Sequence, residues 1–351
     1  MSAPRAVVVV LAVAALFVAL ELRAVLRRDP GAHLHDDDAG GTAPPRRTGA
    51  PPAPMSADAD VEPSLANVTT LHFPWSSATT GLGRVARAEG NAEGPAAFAV
   101  QPTGDVLILD GVNERIVLVS AAGERRSVKA PLGAIQDVAA LPNRRFALLD
   151  RLVDRAVVLV DGDGNVFARV PLPSRAGDPG LVTGVFANRD VVCVEREHGA
   201  CVPVASANGG PPPSERELPG RLASDGRSVL HAGIVAPGSS RVSLARSDAA
   251  PPMHRYTRDI AFASPVRSIE FLDANAAREL YLGVVLESAP STVLVLCLAL
   301  ESGEEVGRQE LPASSLPDEV TRSFAVVESG GFLALQRTVD GADLRRYRCA
   351  P

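Results

Sequence analysis

Among 351 residues the chain has a single lysine, Lys129, and that scarcity removes whole classes of chemistry. A phosphate-cradling loop needs a Gly-Lys-Ser/Thr signature, whereas Lys129 sits in Val128-Lys129-Ala130. Schiff-base catalysis would also have to rest on this one amine. Aromatic residues make up only 4% of a chain that is 46% hydrophobic, so its apolar mass is valine, leucine and alanine. Valine favours strands because its branched side chain packs well on a pleated surface. Four cysteines occur without Cys-x-x-Cys spacing, which speaks against a redox or metal motif of that kind. There is no Gly-x-Ser-x-Gly elbow and no His-Glu-x-x-His, the signatures of two large hydrolase classes. A net charge of −6 leaves no basic footprint for nucleic acid. No catalytic residue set emerges from these absences.

A long hydrophobic run is also missing. The N-terminal run Ala6–Leu20 falls short of the roughly 20 residues of a bilayer span, and it reaches Leu26 only by absorbing Glu21 and Arg23. No small-x-small cleavage site follows it, so residues 1–28 read as an uncleaved membrane anchor with Glu21 and Arg23 snorkelling to the interface. One arginine precedes the run and three follow it; taken literally, the positive-inside rule puts the remainder in the cytoplasm. Residues 29–70 are rich in Pro, Ala, Gly and Asp and bury too little apolar area to offset ordering entropy, so they read as a disordered tether. A long tether between an anchor and a compact domain suits an extracytoplasmic protein. That argument outweighs the charge count, and the expected location is the periplasm or cell surface. In the tether, His33-Leu-His35-Asp36-Asp37-Asp38 reads as a solvated charge run rather than a metal site. Asn67-Val-Thr69 is a glycosylation sequon only in a host with that machinery.

What the chain does contain is a phrase written twice. Ala99, Pro102, Leu109, Asp110, Arg115 and Val117 recur forty residues on, without a gap, as Ala139, Pro142, Leu149, Asp150, Arg155 and Val157. A period near forty residues, with short apolar runs between turn residues, is the signature of a β-propeller blade. Residues 71–351 accommodate six such units. The first runs from Phe98 to Ala130 and the second from Val138 to Ala168. The third includes Val191–Glu195 and Ala200–Val204, and the fourth is degenerate around Ser228–Val235 and Arg241–Ala245. The fifth runs through Ile269–Phe271, Leu280–Val285 and Val293–Leu300, and the sixth from Ser323 to Arg348. The last unit stops before an outer strand, and Leu82–Arg87 is the spare strand expected to complete it and close the ring. The expected fold class is therefore all-β, a six-bladed β-propeller preceded by one hydrophobic helix and a linker.

Glu93-Gly94-Pro95, Phe98-Ala99-Val100, Thr103-Gly104-Asp105, Val106–Asp110 and Asn113-Glu114-Arg115-Ile116 together resemble the NHL repeat. The match is good in the first unit, partial in the second, where Val153 replaces the asparagine, and one of shape elsewhere. The resemblance implies a binding platform; related six-bladed rings include metal-dependent lactonases and lyases.

Asp110, Asp150 and Glu195 each close the second strand of their unit. Gathered at one mouth they could hold a divalent metal; the structural reading has each accept backbone N–H groups in the following turn and pair with Arg115 or Arg155. Recurrence favours structure, because an architectural need repeats in every blade and a catalytic site does not. Asp161-Gly-Asp163-Gly-Asn165 starts like a calcium loop but has Val166 and Leu172 where Gly and Glu are required, so it reads as a hairpin turn. Cys193 and Cys201 lie on adjacent strands of one hairpin and are candidates for a disulfide, with Cys297 and Cys349 left in later units; four buried thiols are the alternative. Glu195, Glu197 and His198 share one turn tip, by default an exposed loop. The functional expectation is a membrane-tethered, non-enzymatic binding or scaffold module without a cofactor. Its partner would be a protein or glycan on one propeller face, and a metal-dependent hydrolase or lactonase with a divalent ion in the central channel is the alternative.

Overall fold

The computed structural model describes residues 70–349 apart from 88, 90–91, 130–133 and 314–320. The chain divides into Met1–Asp58 and Ala59–Pro351, and everything described lies in the second unit. The expected anchor lies outside the described residues, as does the tether except for Thr70. Among the described residues no helix is long and apolar enough to cross a membrane.

The fold is all-β, six antiparallel sheets arranged as the blades of a propeller. β1 (Thr70–Pro74) comes first in the chain but belongs to the last sheet. Blade 1 is β2 (Ala97–Val100), β3 (Val106–Asp110), β4 (Arg115–Val119) and β5 (Arg125–Lys129). Blade 2 is β6 (Asp137–Leu141), β7 (Arg145–Asp150), β8 (Ala156–Val160) and β9 (Val166–Pro171). Blade 3 has three strands, β10 (Val182–Ala187), β11 (Val191–Arg196) and β12 (Ala200–Ser206). Blade 4 is β13 (Arg221–Leu222), β14 (Ser228–Ile234), β15 (Arg241–Ala249) and β16 (Pro252–Ala261). Blade 5 is β17 (Val266–Ala274), β18 (Glu279–Leu286), β19 (Ala289–Ala299) and β20 (Glu305–Pro312). Blade 6 is β21 (Phe324–Val326), β22 (Phe332–Arg337), β23 (Gly341–Tyr347) and, outermost, β1.

Both faces of the central strands are covered, which is why they read as unbroken apolar runs rather than as alternation. On β3, Val106 and Ile108 pack against Phe73 and Leu333 of blade 6, while Leu107 and Leu109 pack against Val138 and Phe146 of blade 2.

Three sequence expectations are corrected. The ring closes through Thr70–Pro74 rather than Leu82–Arg87. β1 pairs antiparallel with β23, Phe73 opposite Ala342, and places Phe73 in the core with no exposed surface. Leu82 and Val85 make only isolated bridges, to Trp75 and Glu93. The closing strand still comes from the N-terminal side, and it removes the open edges that the last sheet would otherwise present.

The forty-residue period slips by one after the second strand. Leu109 pairs with Ile116, whereas Leu149 pairs with Val157. Ile116 faces blade 2 and Val157 faces blade 3, so Val157 corresponds to Ile116 and not to Val117. The turn Gly111–Glu114 has become the longer turn Arg151–Arg155. Accordingly, the left-handed residue before the third strand is Glu114 in one blade (φ 50°) and Arg155 in the next (φ 49°).

Glu195, finally, is not equivalent to Asp110 and Asp150. Val194 faces back toward blade 2, so Glu195 points the other way, toward Arg221 of blade 4. A shift of one residue along a strand exchanges the two faces of a sheet.

Blade 3 lacks a fourth strand for a local reason. Pro203 on β12 has no N–H to offer a partner, and its carbonyl accepts a hydrogen bond from Arg175 Nη2. Cys201 exchanges both backbone hydrogen bonds with Leu218, and that segment is tied down by Arg175–Glu215 (2.8 Å) and Arg196–Glu217 (3.2 Å).

Candidate functional site at the mouth of the central channel

The first two strands of every blade are joined by a tight turn at one end of the channel. Its backbone hydrogen bonds recur blade by blade, as in Gly104 N to Gln101 O, Gly226 N to Ala223 O, Arg278 N to Asn275 O and Gly330 N to Val327 O. The residue following the first turn position is Pro102, Pro142, Arg189, Ser224, Ala276 and Glu328 in blades 1 to 6. All six line one cavity of about 810 Å³, within the size range of small-molecule sites.

The wall of this cavity is two-sided. Blades 1 and 2 supply Ala99, Val100, Pro102, Ala139, Ala140, Leu141 and Pro142, without a charge. Blades 3 to 6 supply every charged group, five arginines and five carboxylates. Asp273 Oδ1 accepts the N–H groups of Ser224 and Ala274, and Oδ2 the Ser224 hydroxyl. Burial raises the pKa of Asp273. Glu328 is raised as well, by burial and by the nearby Asp225 and Asp273, against the pull of the Ala276 N–H and of Arg189 on the opposite blade.

Below this rim the channel is crossed. Arg322, just ahead of β21 in blade 6, reaches to the facing side of the ring. There its Nη2 donates to Asp137 Oδ2 (2.8 Å) and to Val185 O (2.7 Å). Its guanidinium lies 4.7 Å from the centre of the Phe186 ring, and Arg221 approaches the same ring at 4.9 Å, in the range of cation–π attraction. Phe186 and Arg322 both line the cavity, so the mouth opens onto a floored pit.

The residues singled out in the sequence lie elsewhere, and the structure does not gather them. Asp110 is fully buried; its carboxylate accepts from Gly83 N (2.9 Å), Asn113 Nδ2 (2.8 Å) and Arg115 Nε (2.8 Å). Arg115 then caps the carbonyls of Ser77, Ala78 and Gly81, so this pair binds the segment behind the closing strand to blade 1. Asp150 accepts from Val153 N (2.9 Å), while Arg155 is exposed and forms no ion pair with it among the described residues. Glu195 is held by both Arg221 Nε (2.9 Å) and Nη2 (3.0 Å), by Thr183 Oγ1 and by His198. Burial opposes its ionisation, yet Arg221 and these hydrogen bonds bring its pKa down to about 2. Asp161 is consumed in its own turn, accepting from Asp163 N and Asn165 N. Cys193 is bonded to Cys201 and Cys297 to Cys349; the second pair joins blade 5 to the end of blade 6.

The pit residues Arg189, Ser224, Ala276, Glu328 and Arg322 escaped sequence reasoning. The signal for the first four was the position after the first strand, where Pro102 and Pro142 repeat, but blades 3 to 6 share too few identities to align it; Arg322 precedes its strand and had no such signal.

No protein-family model matches the chain, and no characterised protein matches it in sequence. Among solved structures it is similar to streptogramin B lyase (TM-score 0.44, 10% identity, 79% of this chain and 97% of that one). It is also similar to a member of the duf4221 family from Bacteroides vulgatus (0.45, 10%, 80% and 97%) and to Kuenenia stuttgartiensis hydrazine synthase (0.45, 11%, 76% and 99%). At such identities the likeness is one of fold alone.

Proposed function

We propose that this chain is a membrane-tethered, extracytoplasmic propeller of NHL type that binds a ligand, without transforming it, in the pit at the channel mouth. The observation that carries this reading is the convergence of all six equivalent turn positions on one floored cavity. A large, well-formed pocket with a few convergent polar groups is where ligand binding is first sought. Two disulfides support an oxidising compartment, in agreement with an anchor at 1–28 and a tether at 29–70. A metal-dependent hydrolase would need carboxylates converging on an ion. Among the described residues no three His, Cys, Asp or Glu side chains are so grouped, and the oxygens of Asp273 are engaged by Ser224 and Ala274.

The test is to purify the full chain from its native membranes, denature it and identify the released small molecules by mass spectrometry, alongside Ala276→Trp. Ala276 is exposed at the rim, so an indole there intrudes on the pit and leaves the core intact. A compound released by the wild type and absent from the variant is the expected result; identical profiles defeat the reading. A C-terminal alkaline phosphatase fusion, active only outside the cytoplasm, checks the topology.

A further inference from the structure

The pit is dense in charge, yet most of that charge is already engaged within the chain. Asp225 Oδ1 accepts from Arg227 N and Ser228 N, and its Oδ2 from the Ser228 hydroxyl. Asp273 is held in the same way by Ser224 and Ala274. Glu301 pairs with Arg246 (3.3 Å) and Arg278 (3.2 Å), and Arg322 with the wholly buried Asp137 (2.8 Å). Only Arg189, Arg227, Asp190 and Glu328 have no such side-chain partner among the described residues, and they are two of each sign. Each of blades 3 to 6 brings both arginine and carboxylate to the cavity, so the signs are interleaved. A charged ligand would gain from half of these groups what it loses to the other half, after shedding its water.

What the pit does offer is hydrogen bonding. Nη2 makes both hydrogen bonds of the Arg322 guanidinium. Its Nε and Nη1 have no partner among the described residues, and neither is a buried unpartnered atom. Their N–H groups therefore stay open, on a side chain that Asp137, Val185 and Phe186 fix at the pit floor. The Ser224 hydroxyl donates to Asp273 and keeps lone pairs for accepting. Opposite these groups, Ala99, Pro102, Ala139, Ala140 and Pro142 present a wall of C–H groups. We propose that the ligand is a neutral carbohydrate, the end of an oligosaccharide whose oxygens accept from Arg322 and whose C–H face lies on the proline and alanine wall. This rests on the pit being the binding site, and it names the class of ligand. A sugar hydroxyl both donates and accepts, so it finds a partner at arginine and carboxylate alike, and a neutral ring brings no charge to desolvate.

The test applies the full-length protein, in detergent, to an array of short oligosaccharides that are neutral, uronate-bearing or amino-sugar-bearing. Binding should be confined to neutral glycans. The dissociation constant of the tightest, by calorimetry, should change less than about twofold between about 0.05 and about 0.5 M NaCl, because salt screens only charge. Arg322→Lys keeps an ammonium for Asp137 and removes the open Nε and Nη1 donors. It should weaken that glycan at least about tenfold, the effect of losing one hydrogen bond to a charged group, with the melting temperature checking the ring. Ala276→Trp leaves the floor untouched; it should weaken the glycan too, and it decides the case in which Arg322→Lys does not fold. Binding of no glycan overturns the proposal, as does a preference for charged ones or an affinity that a folded Arg322→Lys leaves unchanged. If no glycan binds while Ala276→Trp still strips a compound carried from the native membranes, the carbohydrate assignment fails and the pit stands. If Ala276→Trp strips nothing and alters no binding, the pit itself fails.

Discussion

Blades 1 and 2 are near-copies in sequence, and blades 5 and 6 are not; the two pairs are cemented by different means. Between blades 1 and 2 the interface is aliphatic apart from Phe146, with Leu107, Leu109, Ile116, Leu148 and Val158 interdigitating. Between blades 5 and 6, Phe271, Tyr281, Phe324, Phe332 and Tyr347 form one cluster, with neighbouring ring centres 5.2 to 6.3 Å apart. A chain so poor in aromatics has concentrated them at this seam. The seam also carries a polar tie. The Tyr281 hydroxyl donates to Glu279, and Gly331 N, from the next blade, donates to both (3.0 Å each). Gly331 has φ +81°, and a Cβ there would lie 2.4 Å from Tyr347 O, so glycine is required. Cys297–Cys349 crosses the same seam. The repeated blades thus supply regular scaffold and an inert cavity wall, while the divergent blades supply the special bonds and the charges of the mouth.

This contrast can be broken in graded ways. Replacing Thr70–Pro74 by a Gly/Ser linker should abolish cooperative melting, because it opens the ring beside the aromatic seam; the same replacement at 84–87 should leave a cooperative transition, measurable by calorimetry. Next in size is a pair the sequence presents as equal. Arg115→Ala strands the buried Asp110 and should cost about 3–5 kcal/mol, whereas Arg155→Ala, exposed, should stay within about 0.5 kcal/mol; urea melts of the two should differ by most of that gap. Phe332→Ala at the aromatic seam should cost about 3–5 kcal/mol by the same assay. Loop-closure entropy makes the seam disulfide worth more than the hairpin one: about 4 kcal/mol for the 52-residue separation of Cys297–Cys349 against about 2.5 for the 8 of Cys193–Cys201. Cys349→Ser should therefore lower the melting temperature further than Cys201→Ser.

The last effect appears only in acid. Glu195 has a pKa of about 2 in the fold against about 4.3 unfolded. Its contribution is present above the unfolded value and lost as pH falls from about 4.3 to about 2, on the order of 3 kcal/mol at most. Thermal melts across this range should show an acid limb that Glu195→Gln flattens.

Much of the fold was legible in the chain. The forty-residue echo, the apolar runs of β3, β4, β7 and β8, and the shared Phe-Ala-Val at residues 98–100 and 324–326 carry the blade plan without any contact being known. Legibility ended where the determinant lay outside the repeat. Thr70–Pro74 has no blade around it in sequence, and only its pairing with β23 makes it a closing strand. Arg155 matches Arg115 by position, yet one inserted turn residue moved it to the surface.

By itself, the sequence determined that short valine- and leucine-rich strands recur at blade spacing and that lysine chemistry is nearly absent, because periodicity and composition are local properties of a chain. The tertiary structure alone decided which strand closes the ring, which carboxylates find arginines, and that Pro102, Pro142, Arg189, Ser224, Ala276 and Glu328 meet around one mouth. These are relations between residues far apart in the chain, and only the closing of six sheets into a ring brings them around one cavity.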